Sequence, residues 1–195
     1  MIPYSFPYFG PFIFKAQINN QQVEEIKKLC IKDKTKDHSR KLAGHIKEEY
    51  EIDINRYHQV MTPYLDTYCE GYEKFYDKKF KGTGLATQQV WVNFMKAGEY
   101  NPPHYHGGCR FSSVVFLDVP PQIKKEADAF HGTSHPPGSI EFVVHIGDVQ
   151  EYIACYRHFP QKGDALIFPA NVTHTVYPFQ CKATRVSVAA NYLII

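Results

Sequence analysis

The sequence holds 195 residues, enough for one domain with a sizeable core. Of these, 44% are hydrophobic, 15% aromatic and 22% charged, a balance that excludes an intrinsically disordered chain. A formal net charge of +2 makes no case for nucleic acid as a partner, and the clusters Lys32-Asp33-Lys34-Thr35-Lys36 and Lys78-Lys79-Phe80-Lys81 read as solvated faces or loops. Five cysteines, Cys30, Cys69, Cys109, Cys155 and Cys181, are scattered and odd in number, with no Cys-x-x-Cys pair. Neither a disulfide framework nor a thiolate zinc site is expected, and a reducing compartment fits. The opening Met1-Ile2-Pro3-Tyr4-Ser5-Phe6-Pro7-Tyr8 lacks the basic and continuous apolar regions of a secretion signal, and no later run is long enough to span a membrane. The expectation is a soluble protein of the cytoplasm, in a cell or an infected host.

In chain order, Gln21 to Lys32 reads as a short helix with Val23, Ile26 and Leu29 on one face, and Lys32 to Lys41 as a loop. Tyr57 to Phe80 carries Val60, Met61, Tyr64, Leu65, Tyr68, Tyr72, Phe75 and Tyr76 at spacings of three and four, an apolar stripe that predicts a long core-facing helix. From Ala86 the signal changes to strands: Gln88 to Lys96, Phe111 to Val119, Ser139 to Ile146, Tyr152 to Arg157, Ala165 to Pro169 and Thr184 to Ile195. Short lengths, β-branched and aromatic content and Gly/Pro punctuation favour an antiparallel sandwich or barrel over βαβ units. Pro120 to Pro137 reads as a long loop and a candidate lid. The expected architecture is α+β in a single domain, residues 1–195, with a jelly-roll-like core from about 86 to 195 buttressed by helices from about 1 to 85.

Two features point to chemistry. His104 and His106 stand two apart, and on a strand such residues share a face, so both can reach one metal ion. His174, from a distant strand, would add a third imidazole and leave open positions for reactants. Eleven residues later Arg185 sits in the apolar run Arg185-Val186-Ser187-Val188, where a guanidinium is costly to bury unless it meets an anion. Together these suggest an iron enzyme with an acidic co-substrate. Asn93 and Tyr100 are candidates for contacting that co-substrate, beside the ordinary roles of satisfying backbone groups and filling the core. His131, His135, His145 and His158 are expected in structural or solvated roles, and Cys109 is not expected to be a nucleophile.

The motifs Trp91-Val92-Asn93-Phe94, Gly98-x-Tyr100-x-x-His104-x-His106, Phe111-Ser112-Ser113-Val114-Val115-Phe116-Leu117, Gly163-Asp164-x-x-Ile167-Phe168-Pro169-x-x-x-x-His174 and Arg185-Val186-Ser187 occur in an order and spacing that resembles the 2-oxoglutarate/Fe(II)-dependent oxygenases. The likeness covers roughly the C-terminal hundred residues and is nearest to small oxygenases of bacteriophage genomes, distant relatives of prolyl hydroxylases. The resemblance implies a double-stranded β-helix, Fe(II), and 2-oxoglutarate and O2 as co-substrates. It also implies that Arg185 grips the far carboxylate of 2-oxoglutarate with Ser187 beside it, while 2-oxoglutarate decarboxylation is coupled to oxidation of a substrate C–H bond. The primary substrate is left open between a protein side chain and a small molecule. This chain departs from the family in having His106 where the usual motif carries Asp or Glu, which leaves the site one charge more positive. Two other readings therefore stand: a three-histidine, cupin-like dioxygenase that uses no 2-oxoglutarate, and a non-catalytic metal-binding or structural jelly roll.

Overall fold

The structure, a computed structural model, describes residues 10–144 and 155–195. After strand β1 (Phe14–Gln17), helix α1 (Asn20–Lys27) starts at a reciprocal cap: the Asn19 side chain accepts from the Gln22 amide while the Gln22 side chain accepts from the Asn19 amide. Residues 32–41 form turns with two single-turn 3-10 helices. Strand β2 (Glu49–Glu51) precedes α2 (Ile54–Tyr76), which Asp53 caps by accepting from the Arg56 amide at 2.9 Å. Tyr57, Met61, Leu65 and Tyr68 form its buried stripe. There follow β3 (Leu85–Lys96), β4 (Asn101–His104), β5 (Phe111–Asp118), α3 (Pro121–Asp128), β6 (Ile140–Val143), β7 (Cys155–His158), β8 (Asp164–Pro169), β9 (Thr173–Val176) and β10 (Thr184–Ile194).

The strands form two antiparallel sheets. The major sheet runs β1-β8-β5-β10-β3-β2 and the minor sheet β4-β9-β6-β7. Strand alternation divides the major sheet into two unlike faces. Val90, Val92, Val115, Leu117, Val188 and Ala190 pack with the buried residues of α1 and α2. On the other face Met95, Phe116, Leu166 and Phe168 meet Ile140, Phe142 and Val176 of the minor sheet. The same inward face carries Asn93, Arg185 and Ser187, so polar groups point into the space between the sheets.

The helices-then-strands expectation holds, with additions. The N-terminal stretch supplies β1 and β2, which occupy the two edges of the major sheet. The parts of the expected strands at 145–146 and 152–154 lie outside the described residues. A larger correction concerns 120–137, expected as a mobile loop. Half of it is α3, whose Ile123 is fully buried in the inter-sheet core, and the Glu126 carboxylate accepts from the amides of Gln180 and Cys181 at 2.8 Å each. Its sequence hid this because Ile123 is the helix's one buried residue, too little for a periodic signal. Among the described residues, no helix is long and apolar enough to cross a membrane.

Candidate metal centre and co-substrate cavity

Strands β4 and β9 bring His104 directly opposite His174. His106 lies two residues past the end of β4, so strand alternation is not what aims it. Its backbone amide instead donates to the Ala170 carbonyl at 2.9 Å, while the Ala170 amide donates to the Arg110 carbonyl at 3.1 Å, and this exchange fixes the loop beside β9. The three imidazoles converge: ring centroids are 4.2 Å apart for His104–His174, 5.2 Å for His106–His174 and 5.3 Å for His104–His106. One ligand nitrogen from each lies within 4.8 Å of the others, a cluster that a single cation can bridge.

Hydrogen bonding sets two of the tautomers. His104 Nδ1 lies 2.7 Å from the Pro102 carbonyl and His174 Nδ1 lies 3.0 Å from the Val172 carbonyl. A carbonyl only accepts, so each Nδ1 carries the proton and each Nε2 presents a lone pair. Burial pushes the His174 imidazole down to about 3 and His106 down to about 4, and lowers His104 as well. All three are neutral at pH 7, the state in which imidazole ligates a metal. The donor set thus fits Fe(II), with three neutral nitrogens and no carboxylate among the described members of the cluster.

Arg185 is 2% exposed, yet no carboxylate pairs with it among the described residues. Nη1 donates to the Gly138 carbonyl at 2.8 Å, Nη2 lies 2.8 Å from the Met95 thioether, and Nε has no partner. The Gly138 carbonyl is presented from a glycine at φ 78°, where an added Cβ would strike Ile123 of α3. Burial lowers the guanidinium to about 10, so it stays charged at neutral pH. A buried cation so placed calls for an anion, and the cavity it lines also contains Ser187, Asn93 and the three histidines. Ser187 and Asn93 are register partners on β10 and β3. The Asn93 amide is already engaged, accepting from Trp91 Nε1 at 3.1 Å and donating to the Ser187 carbonyl at 3.3 Å.

Tyr100 does not join them. It stacks on His45 at 4.7 Å and is absent from the cavity lining. Two lining residues carry no sequence signal. Glu49, 1% exposed, stands opposite Asn93 across the β2–β3 pair with Oε2 unpartnered, and the Asn101 Oδ1 is likewise buried without a partner. Burial first, then the neighbouring Glu99 and Asp37, raise the Glu49 carboxyl to about 8. The remaining histidines behave as expected where they are described: His135 pairs with Glu141 at 3.1 Å and His158 with Asp164 at 2.7 Å, while His145 lies outside the described residues. Burial raises the Cys109 thiol, which disfavours a nucleophilic thiolate.

Residues 89–191, from β3 through β10, match the family model 2OG-FeII_Oxy_5, described as "Putative 2OG-Fe(II) oxygenase". The chain belongs to the 2-oxoglutarate/Fe(II)-dependent oxygenases. Fe(II) and 2-oxoglutarate are accordingly this oxygenase's cofactor and co-substrate. The matched span includes His104, His106, His174, Arg185 and Ser187. Solved structures share the oxygenase's fold. A viral collagen prolyl hydroxylase from Paramecium bursaria Chlorella virus-1, solved as its 2OG complex, superimposes with a TM-score of 0.58 at 13% identity, covering 95% of this chain and 98% of that one. A Pseudomonas putida prolyl-4-hydroxylase gives 0.55 at 13% identity, over 94% and 92% of the two chains. A Trichoplax adhaerens prolyl hydroxylase in complex with a hypoxia inducible factor peptide gives 0.54 at 12%, over 93% and 83%. Among curated proteins, no sequence matches the oxygenase.

Proposed function

We propose that the oxygenase is a hydroxylase of the cytoplasm, a single domain spanning residues 1–195. Its two sheets would form a double-stranded β-helix over about 86–195, with His104, His106 and His174 holding Fe(II) and Arg185 with Ser187 holding the far carboxylate of 2-oxoglutarate. The carrying observation is that the buried Arg185 guanidinium, its Nε without a partner, meets no carboxylate among the described residues in the cavity that the three imidazoles also line. A planar guanidinium can grip a carboxylate with two parallel hydrogen bonds, and the Ser187 hydroxyl can supply another. Bound iron supplies the redox chemistry by which 2-oxoglutarate, O2 and a substrate C–H group become succinate, CO2 and a hydroxylated product. The protein's own part is binding, orientation and exclusion of water. The Pro102 and Val172 carbonyls hold the His104 and His174 rings, and the Ala170 carbonyl fixes the backbone that carries His106. Five unpaired cysteines fit a reducing compartment.

Because His106 stands where the family's usual motif carries Asp or Glu, the experiment tests the ligand set and the co-substrate anchor together. Anaerobically Fe(II)-loaded protein should bind 2-oxoglutarate and release succinate when O2 is admitted. Arg185→Met should weaken 2-oxoglutarate binding by about 3–5 kcal/mol, roughly two to nearly four orders of magnitude in Kd, while leaving iron affinity in place. His106→Ala should lower iron affinity, and His106→Asp should keep a facial site because a carboxylate can take the imidazole's position. Iron binding with no 2-oxoglutarate affinity in the parent protein would remove the proposed co-substrate site. Equal 2-oxoglutarate affinity in parent and Arg185→Met would remove Arg185 from the site.

A further inference from the structure

A groove of about 1110 Å³ opens beside the metal centre, and His106 lines both this groove and the buried cavity that contains Arg185. Its volume lies above the roughly 300–1,000 Å³ of ordinary small-molecule pockets, which suits an extended ligand. Four cationic side chains line it, Lys78, Lys79, Lys81 and Arg110, and among the described lining residues there is no Asp or Glu. Only Lys79 has an ion-pair partner among the described residues, Glu73 at 3.2 Å. The buried guanidinium of Arg185 lines the inner cavity and not this groove, so these outer charges are surplus to holding 2-oxoglutarate.

The basic segment is built into place. Asp77 ends α2 in the left-handed conformation, φ 49°, after which the Lys78 amide donates to the Glu73 carbonyl at 3.2 Å and the Phe80 amide to the Glu73 carboxylate at 2.9 Å. Phe80 turns inward against Tyr72 and Phe111, with a lysine on either side of it at the groove. Apolar Val143 and Val172 contribute further lining. A single-stranded nucleic acid would also answer the charge, but it gains from free aromatic faces on which bases stack. Here the rings of Tyr72 and Phe80 are turned against one another, 5.5 Å between centroids, and against Phe111.

We infer that this groove receives an acidic polypeptide segment and delivers it to the metal at His106 as the hydroxylase's primary substrate, an inference that rests on the function proposed above. Opposite charge across an interface selects the partner and speeds encounter. The test is fluorescence anisotropy on the full chain, loaded anaerobically with Fe(II) and 2-oxoglutarate, using short labelled peptides that are acidic, neutral or basic, and a single-stranded DNA of matching charge. The acidic peptide should bind about tenfold or more tighter than the neutral one, with an affinity that falls as salt rises. Joint Lys78→Glu and Lys81→Glu substitutions should weaken it by a similar factor, and Lys78→Gln with Lys81→Gln by less; both pairs are exposed, so thermal midpoints should stay near the parent's. Equal binding of acidic and neutral peptides, indifference to charge reversal, or preference for the DNA would each overturn the inference. Binding needs no turnover, which keeps the two proposals apart. A protein that binds the acidic peptide but never makes succinate sinks the hydroxylase and spares the groove's preference, whereas succinate production with no discrimination of peptide charge sinks the groove alone.

Discussion

Glu49 shows how far a site can lie from anything its sequence announces. It is the middle acid of Glu48-Glu49-Tyr50-Glu51, a stretch that looks like surface charge, yet the three-residue strand β2 pairs it with Asn93 and buries it at the cavity. Its folded carboxyl is held at about 8 against an ordinary 4.5, so the folded state keeps a proton that the unfolded chain releases. The sign follows from linkage: stability is fullest below about 4.5 and falls as pH rises through about 8, by something on the order of 4–5 kcal/mol in all. Glu49→Gln keeps the shape without the ionisation. The unfolding free energy of metal-free parent minus variant, from urea titrations between pH 5 and pH 9, should therefore decline steadily and level off above pH 8. A pH-independent difference would mean the carboxyl ionises freely in the folded protein. By contrast His104, His106, His174, Arg185 and Ser187 were legible because each sits in a spaced motif whose chemistry is stated by residue type. Glu49 and Asn101 reach the cavity only through tertiary pairing, and Tyr100, which shares the histidines' motif, turns instead to stack on His45.

At the scale of elements, the apolar stripe of α2 was readable because period and burial coincide, and β3, β5, β8 and β10 because their apolar, β-branched and aromatic runs, largely buried on both faces, are bounded by Gly and Pro. Strands β1 and β2, three or four residues long and set among helical and turn signals, were not, while β4 and β9 were marked only by the strand positions expected of their histidines. In β4 the pair Pro102-Pro103 also argues against a strand, and the structure accommodates it at the edge of the minor sheet, where missing amide donors leave fewer ladder bonds unmade. The stripe of α2 contains a polar anomaly that can be tested. Tyr68 is wholly buried among Phe12, Phe14 and Phe111, and its hydroxyl has no hydrogen-bond partner. Tyr68→Phe should raise unfolding free energy by about 1 kcal/mol, since the desolvation cost of the hydroxyl vanishes while the ring stays. Met61→Ala, two turns earlier on the same stripe, should lower it by about 2–5 kcal/mol through lost packing. Because these side chains pack on the face of the major sheet away from the histidines, 2-oxoglutarate affinity should not move in either variant. Denaturant midpoints and binding isotherms on the same preparations check both statements.

For the whole molecule, ligand and fold are linked through the space between the sheets, since Arg185 belongs to β10 of one sheet while His104 and His174 belong to β4 and β9 of the other. Fe(II) and 2-oxoglutarate that bind only the folded chain should stabilise it, by about 2.7 kcal/mol at a ligand concentration of 100 Kd. In a domain of this length that corresponds to a rise in Tm of roughly 5–10 °C. Differential scanning calorimetry with and without a chelator should register the rise and its loss; an unchanged Tm at saturating ligand would mean that neither ligand prefers the folded chain to the unfolded one. The strand order of the major sheet has a consequence for biosynthesis. β10 pairs with β3 on one side and β5 on the other, although both precede it by more than half of the matched span. While the chain emerges from a ribosome, β3 and β5 therefore wait with facing backbone edges unsatisfied until their shared neighbour is made. Such edges invite pairing with other chains, and contacts so remote in sequence form slowly. Productive folding of this sheet therefore waits for β10, and slower synthesis at low temperature lowers the concentration of waiting chains at the moment when they are most prone to associate.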